Sequence, residues 1–101
     1  MNDEMLQKIK ALADRTRLRL LEALLSKNYC VNALAREFDI SESAVSQHLK
    51  ILREADLVFG EKRGYYVHYS VKQDNLNAVA NYIQALAARE VTGCNECGKD
   101  D

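Results

Sequence analysis

Residues 41–53 read Ser-Glu-Ser-Ala-Val-Ser-Gln-His-Leu-Lys-Ile-Leu-Arg. Val45, Leu49 and Leu52 fall at i, i+4 and i+7, one stripe of a helix turned toward a core. Ser43, Ser46, Gln47 and Lys50 lie on the opposite side, a row of polar groups able to approach base edges. Ser41 suits the N-cap, Glu42 suits the first turn, and Asp39-Ile40 forms a compact turn after the preceding helical stretch. Two short helices joined in this way make a helix-turn-helix. An ordinary amphipathic surface helix has the same period, so the residues that follow must distinguish the two.

After this helix the chain continues Leu57-Val58-Phe59-Gly60-Glu61-Lys62-Arg63-Gly64-Tyr65-Tyr66-Val67-His68-Tyr69-Ser70-Val71. Tyr65, Val67, Tyr69 and Val71 alternate with Tyr66, His68 and Ser70, the period of a half-buried strand. Leu57 to Lys62 forms a shorter strand, and Arg63-Gly64 sits where the hairpin must reverse. A two-stranded hairpin is marginal alone and must lean on the helices. Lys62 and Arg63 at its tip set positive charge where a phosphate backbone would pass. A helix-turn-helix followed by a basic hairpin is a winged helix.

Three stretches resemble the ArsR/SmtB family of small metal-responsive repressors: residues 12–21, Leu-Ala-Asp-Arg-Thr-Arg-Leu-Arg-Leu-Leu; residues 43–53; and Val67-His68-Tyr69. The similarity runs from about Met5 to the end of the last helix, with the three motifs in order. The resemblance implies a symmetric dimer that occupies pseudo-palindromic operator DNA and leaves it when an effector binds. The helix and wing read from the residues themselves make Ser43, Ser46, Gln47, His48, Lys50, Lys62 and Arg63 the expected DNA contacts.

Composition agrees. A chain of 101 residues is a single domain, residues 1–101, that can bury about two thirds of its unfolded surface. It is 48% hydrophobic, yet no apolar run approaches the roughly 18 residues that span a bilayer, and no signal-peptide pattern opens it. A cytoplasmic protein without a membrane partner is expected. The net charge of −1 excludes a globally basic, nonspecific nucleic-acid binder, so positive charge must be local. Arg36, Lys50, Arg53, Lys62 and Arg63 gather around the reading head, while Glu90, Glu96, Asp100 and Asp101 lie at the far end.

The expected fold is mainly α, about five helices plus the two-stranded wing. Met5, Ile9 and Leu12 make an apolar stripe; Asp14 caps a second helix whose Leu18, Leu21, Leu24 and Leu25 face inward. Val31, Leu34, Ala35 and Phe38 line the third helix. The last, Asp74 to about Val91, carries Leu76, Val79, Ala80, Ile83, Leu86 and Ala87, a stripe longer than one small winged helix needs. A homodimer interface of Met5, Ile9, Leu76, Val79, Ile83 and Leu86 buries the excess. With no proline and no low-complexity linker, neither a second domain nor a repeat is expected.

Three cysteines bear the distinctive chemistry. Cys30 opens the third helix; Cys94 and Cys97 form a Cys-x-x-Cys in a flexible tail, residues 92–101. Many members of the family read Cys-Val-Cys at the stretch aligned with Cys30 to Asn32, and the resemblance implies thiolate binding of arsenite or a soft divalent metal. Here Asn32 replaces the second sulfur, and the tail pair can supply the missing ligands from the same or the other protomer. A helix of about 17 residues spans about 25 Å and four or five extended residues add at most ~15 Å, so the reach suffices. Cys30 alone also suits a small buried apolar position. Three sulfurs leave tetrahedral zinc one ligand short but suit trigonal arsenite or antimonite. Cadmium, lead or zinc with an added ligand comes second, and a redox or persulfide switch third. No cofactor is needed for folding. The last helix has no histidine, so Asp74 stands without partners there, and His48 and His68 read as structural or DNA-facing residues rather than ligands.

An enzyme is not expected. A thioredoxin-like Cys-x-x-Cys follows a strand and opens a helix, whereas this one lies past the final helix. No Ser/His/Asp set, phosphate-binding glycine loop or paired carboxylate site is legible. A winged helix that binds protein rather than DNA is the remote alternative.

Overall fold

The computed structural model describes residues 1–98. Asp100 and Asp101 of the acidic end, with residues 99–101 of the tail, lie outside the described residues. The elements run α1 (Asp3–Leu12), α2 (Arg15–Ser26), α3 (Val31–Phe38), α4 (Glu42–Glu54), β1 (Val58–Arg63), β2 (Tyr66–Val71) and α5 (Gln73–Ala87). Five helices and one antiparallel hairpin make a winged helix, as expected. No helix among the described residues is long and apolar enough to cross a membrane.

Capping sets the helix starts. Asn2 Oδ1 accepts from the Met5 N–H at 2.8 Å, Asp14 Oδ2 from the Arg17 N–H at 3.0 Å and Ser41 Oγ from the Ala44 N–H at 3.0 Å. Each side chain satisfies a donor that the first turn leaves orphaned. Two helix ends share a second device: Asp39 (φ 55°) follows α3 and Asp56 (φ 63°) follows α4, both left-handed. The next amide then reaches back, Ile40 N–H to the Ala35 carbonyl at 3.1 Å and Leu57 N–H to the Leu52 carbonyl at 3.0 Å. Such endings satisfy the last carbonyls and turn the chain sharply.

Leu20, Leu34, Val45, Leu49, Leu52, Leu57 and Val58 are fully buried, so the core sits where α2, α3, α4 and the root of the wing meet. Leu52→Ala should lower unfolding free energy by about 2–5 kcal/mol in urea titration, because it empties a sealed site.

Several expectations need correction. Leu18 and Leu25 are each 45% exposed, and Leu20 is buried in their place. Leu20, Leu21 and Leu24 share an arc of about 100° on the helix, and Leu18 and Leu25 fall beyond its edge. The hairpin reverses one residue later than expected, at Gly64-Tyr65, because Arg63 pairs with Tyr66. Gly64 has φ 66° at the first central position, the place a type II′ turn gives to glycine. Tyr65 therefore sits in the turn, 98% exposed, rather than on the buried face of the strand. Gly60 has a different duty: a Cβ there would lie 2.7 Å from Val67 Cγ1 and 3.1 Å from Tyr69 Cε1. α5 stops at Ala87 rather than near Val91, which is 97% exposed and has no packing to hold a further turn. Val79, expected between protomers, is already buried within the chain at 2% exposure, on the helix that lies beside α1.

The wing is anchored at both ends. Tyr69 N–H donates to the Tyr29 carbonyl at 2.9 Å and residues Cys30 and His68 form an isolated antiparallel bridge, which ties the approach to α3 to β2. At the other end Lys72 N–H donates to the Leu57 carbonyl at 2.8 Å, and Asp56 accepts from both Lys72 Nζ and Asn75 Nδ2. The start of α5 is thereby tied to the turn after α4. The Asp56 carboxyl is held below its usual range, chiefly by the hydrogen bond from Lys72.

Candidate nucleic-acid interface and thiol groups

On α4 the inward side chains Val45, Leu49 and Leu52 are buried, and Ser43, Ser46, Gln47 and Lys50 are all exposed. The polar row is therefore free to meet a ligand. Two contacts fix the helix that carries it. Asn32 Nδ2 donates to Glu42 Oε2 at 2.8 Å, joining the first turn of α3 to the first turn of α4. Gln7 Nε2 donates to the Glu54 carbonyl at 3.3 Å, joining α1 to the other end.

His48 departs from the outward row. Its ring is half-buried, with Nδ1 3.5 Å from Arg17 Nη1 and 3.9 Å from Asp14 Oδ2. Arg17 also donates from Nε to the Ala11 carbonyl at 2.6 Å and from Nη2 to the Lys10 carbonyl at 3.5 Å. The Arg17 guanidinium thus closes the end of α1 and touches α4, while its backbone amide takes the Asp14 cap of α2. His48 joins α4 to the α1–α2 junction. Nothing local in the sequence marks Arg17 for this role, because its side-chain partners lie on two other helices, α1 and α4.

Asp14 is held below its ordinary value of 3.8, first by the hydrogen bond from the Arg17 amide, which desolvation opposes and to which the charges of Arg17 and His48 add smaller pulls. A depressed carboxylate stabilises the fold above its unfolded pKa, and that contribution is lost as pH falls toward the folded value. The urea midpoint should therefore decline below about pH 4, and Asp14→Ala should flatten part of that decline while lowering the midpoint at pH 7.

On the wing, Lys62 is exposed and makes no ion pair among the described residues. Arg63 is held. Its Nη2 lies 3.4 Å from Glu61 Oε1, and the Asn28 amide, with its oxygen toward the wing, accepts from Nη1 at 3.0 Å and Nη2 at 2.8 Å. Lys62 is the cation readier to reach a phosphate. Tyr65 and Tyr66, at 98% and 56% exposure, flank it at the tip.

The thiols occupy two separate places. Cys30 is half-buried at the N-cap of α3 and makes no capping hydrogen bond. It borders a groove of about 370 Å³ that also involves Asn32, Glu42, Tyr66 and Tyr69. His68, paired with Cys30 through the backbone, keeps a buried Nδ1 without a partner. Cys94 and Cys97 are exposed, with their sulfurs 2.9 Å apart, and Cys94 Sγ also accepts from the Glu96 N–H at 3.4 Å. The hydrogen bond from Cys97, then the Glu96 amide, pulls the Cys94 thiol below its ordinary value; the same contact pushes Cys97 up. Among the described residues no three His, Cys, Asp or Glu groups converge as a metal site. Cys30 and the tail pair therefore do not meet within one chain in this structure.

Comparison with known proteins agrees with the geometry. The family described as "Bacterial regulatory protein, arsR family" matches residues 14–59. The arsenical resistance operon repressor of Escherichia coli (strain K12) is 42% identical over 97 residues, covering 94% of this chain and 75% of that protein. Transcriptional repressor SdpR of Bacillus subtilis (strain 168) is 33% identical over 78 residues, 73% of this chain and 87% of the relative. The solution structure of a homodimeric winged helix-turn-helix DNA-binding domain from Mycobacterium bovis superposes with a TM-score of 0.71 at 27% identity, covering 84% of this chain and 79% of the other. These relatives are transcriptional regulators and not enzymes. The chain belongs to the arsR family of bacterial regulatory proteins.

Proposed function

We propose that two copies of this chain form a sequence-specific transcriptional repressor, released from its operator by a thiophilic effector, with arsenite or antimonite the best fit. The observation that carries the DNA half is the exposed row Ser43, Ser46, Gln47 and Lys50 on a helix whose other face is sealed into the core. Such a helix enters a major groove, and the wing then lies along the backbone.

A dimer follows from what the chain leaves uncovered. Ile83 is 50% and Leu86 45% exposed on α5, and Met5 and Ile9 on α1 are only half-buried. The Cα radius of gyration is 18.4 Å, against about 13 Å for a compact domain of this length. Beyond Val79, every described residue of α5 and of residues 88–98 is exposed except the half-buried Tyr82. A partner packed on α1 and α5 covers the apolar surface and sets two α4 helices for successive grooves of a pseudo-palindrome.

The effector half rests on the thiols. The 2.9 Å approach of the Cys94 and Cys97 sulfurs suits a two-sulfur chelate, and a third thiolate would complete the trigonal site that arsenite prefers. Because Cys30 does not meet them within the chain, the third sulfur comes from the partner's Cys30 or from rearrangement of the tail. Cadmium, lead or zinc with an added ligand is the second reading, favoured by Glu42 beside the same groove as Cys30.

The test is fluorescence anisotropy with duplex DNA from upstream of the chain's own gene. Gln47→Ala should lose roughly 1–3 kcal/mol on the cognate site and little on random DNA. Lys62→Ala should weaken both equally and reduce the salt slope by about one. Wild-type affinity in both variants would show the reading head to be misplaced.

A further inference from the structure

We infer that Cys94 and Cys97 close into a reversible intramolecular disulfide that withdraws both tail sulfurs from a thiophilic ligand, giving the tail an oxidative input of its own. The withdrawal rests on the effector reading above; the disulfide does not.

The two sulfurs already touch. The sulfurs stand 2.9 Å apart, and a disulfide needs about 2.05 Å, a displacement small enough for side-chain rotation to absorb. Residues 88–98 contain no buried side chain, so closure disturbs no packing. Glycines at 93 and 98 flank the pair, and Gly98 already has φ 84°. Both thiols are exposed to a soluble oxidant, whereas Cys30 is half-buried at the bridge with His68.

The two sulfurs are not equivalent. Cys94 Sγ accepts from the Glu96 amide at 3.4 Å, a contact that stabilises a thiolate on Cys94 and that Cys97 lacks, and it shares a hydrogen bond with the Cys97 sulfur at 2.9 Å. Cys94 is therefore the attacking group and Cys97 the resolving one. With a small disulfide such as oxidised glutathione, the Cys94 thiolate attacks one oxidant sulfur, forms a mixed disulfide and expels one glutathione thiolate. Cys97, as its thiolate, then attacks the Cys94 sulfur, closes the ring and expels the second. The protein loses two electrons and two protons; the oxidant becomes two molecules of reduced glutathione. Reduction by a dithiol reverses the sequence and restores both ligands.

The test uses the full reduced chain, titrated with oxidised glutathione, quenched with an alkylating reagent and weighed intact. Wild type should lose two hydrogens with no glutathione retained, and Cys30 alone should take the alkyl label. Cys97→Ser should stop with one glutathione on residue 94, and Cys94→Ser should accumulate its adduct at least several-fold more slowly. Stable mixed disulfides on the wild type, a link to Cys30, or equal rates in the two variants would overturn the assignment. Oxidised wild type, compared by native mass spectrometry with the reduced protein, should bind at least tenfold less arsenite. If the ring forms but arsenite binds equally to both forms, the withdrawal is wrong. If neither form binds arsenite, the effector reading fails and takes the withdrawal with it, while the mass data still decide whether the ring closes.

Discussion

Ile83→Asp should yield monomers that remain folded and bind operator about a hundredfold or more weakly. Ile83 is half exposed in the single chain, so a carboxylate there costs the isolated fold little, as circular dichroism should confirm. Opposite a second α5 the same charge is buried without a partner, a large penalty at the centre of an apolar interface. Losing the dimer also loses the second half-site, and linked sites typically gain two to four orders of magnitude over single ones. Sedimentation velocity and anisotropy should report the two effects together. Val79→Asp makes an instructive contrast: Val79 is buried within its own chain, so that variant should unfold rather than merely dissociate. A wild-type chain that sediments as a monomer at micromolar concentration would remove the dimer from the account.

Cysteine substitutions should separate DNA binding from release. Cys30→Ser, Cys94→Ser and Cys97→Ser should each keep operator affinity within about twofold, because no cysteine lies on the exposed row of α4. Each should lower arsenite-driven release at least tenfold. A ligand releases DNA only by preferring the protomer arrangement that misfits two successive grooves, and a hundredfold effect requires about 2.7 kcal/mol of differential binding. Cys30 is well placed to transmit it: two residues on, Asn32 is hydrogen-bonded to Glu42 at the start of α4. Pulling on Cys30 therefore pulls on the reading helix. A normal response from Cys30→Ser with failure of both tail variants would confine the ligand to the tail, and a normal response from all three would end the thiol reading.

Local signals made much of this molecule legible. The Asp39-Ile40-Ser41 turn announces itself through a residue that tolerates the left-handed region and a residue that caps, and the structure places the α3–α4 joint there. The α4 stripe was equally plain, since Val45, Leu49 and Leu52 recur at i, i+4 and i+7 with Ser43, Ser46, Gln47 and Lys50 on the opposite side. The leucine-rich α2 was harder. Five leucines at 18, 20, 21, 24 and 25 exceed one face, and periodicity cannot say which arc the fold selects. The turn residue Tyr65 was misplaced because alternation continues through a hairpin whose register depends on Gly64. Contacts between distant segments left no trace at all. The bridge between Cys30 and His68, the Arg17 contacts that turn His48 inward and the hold of Asn28 on Arg63 join residues many positions apart. The thiols were visible as chemistry but not as geometry, and the separation of Cys30 from the tail pair emerges only in three dimensions.

The most direct measurement is operator anisotropy of the reduced wild-type dimer with and without arsenite, in a buffer containing a phosphine reductant rather than a competing thiol. Tight, sequence-specific binding that weakens about a hundredfold at stoichiometric arsenite, and recovers when a dithiol removes it, is the predicted result. Specific binding unchanged by arsenite, antimonite, cadmium, lead and zinc alike would contradict the account.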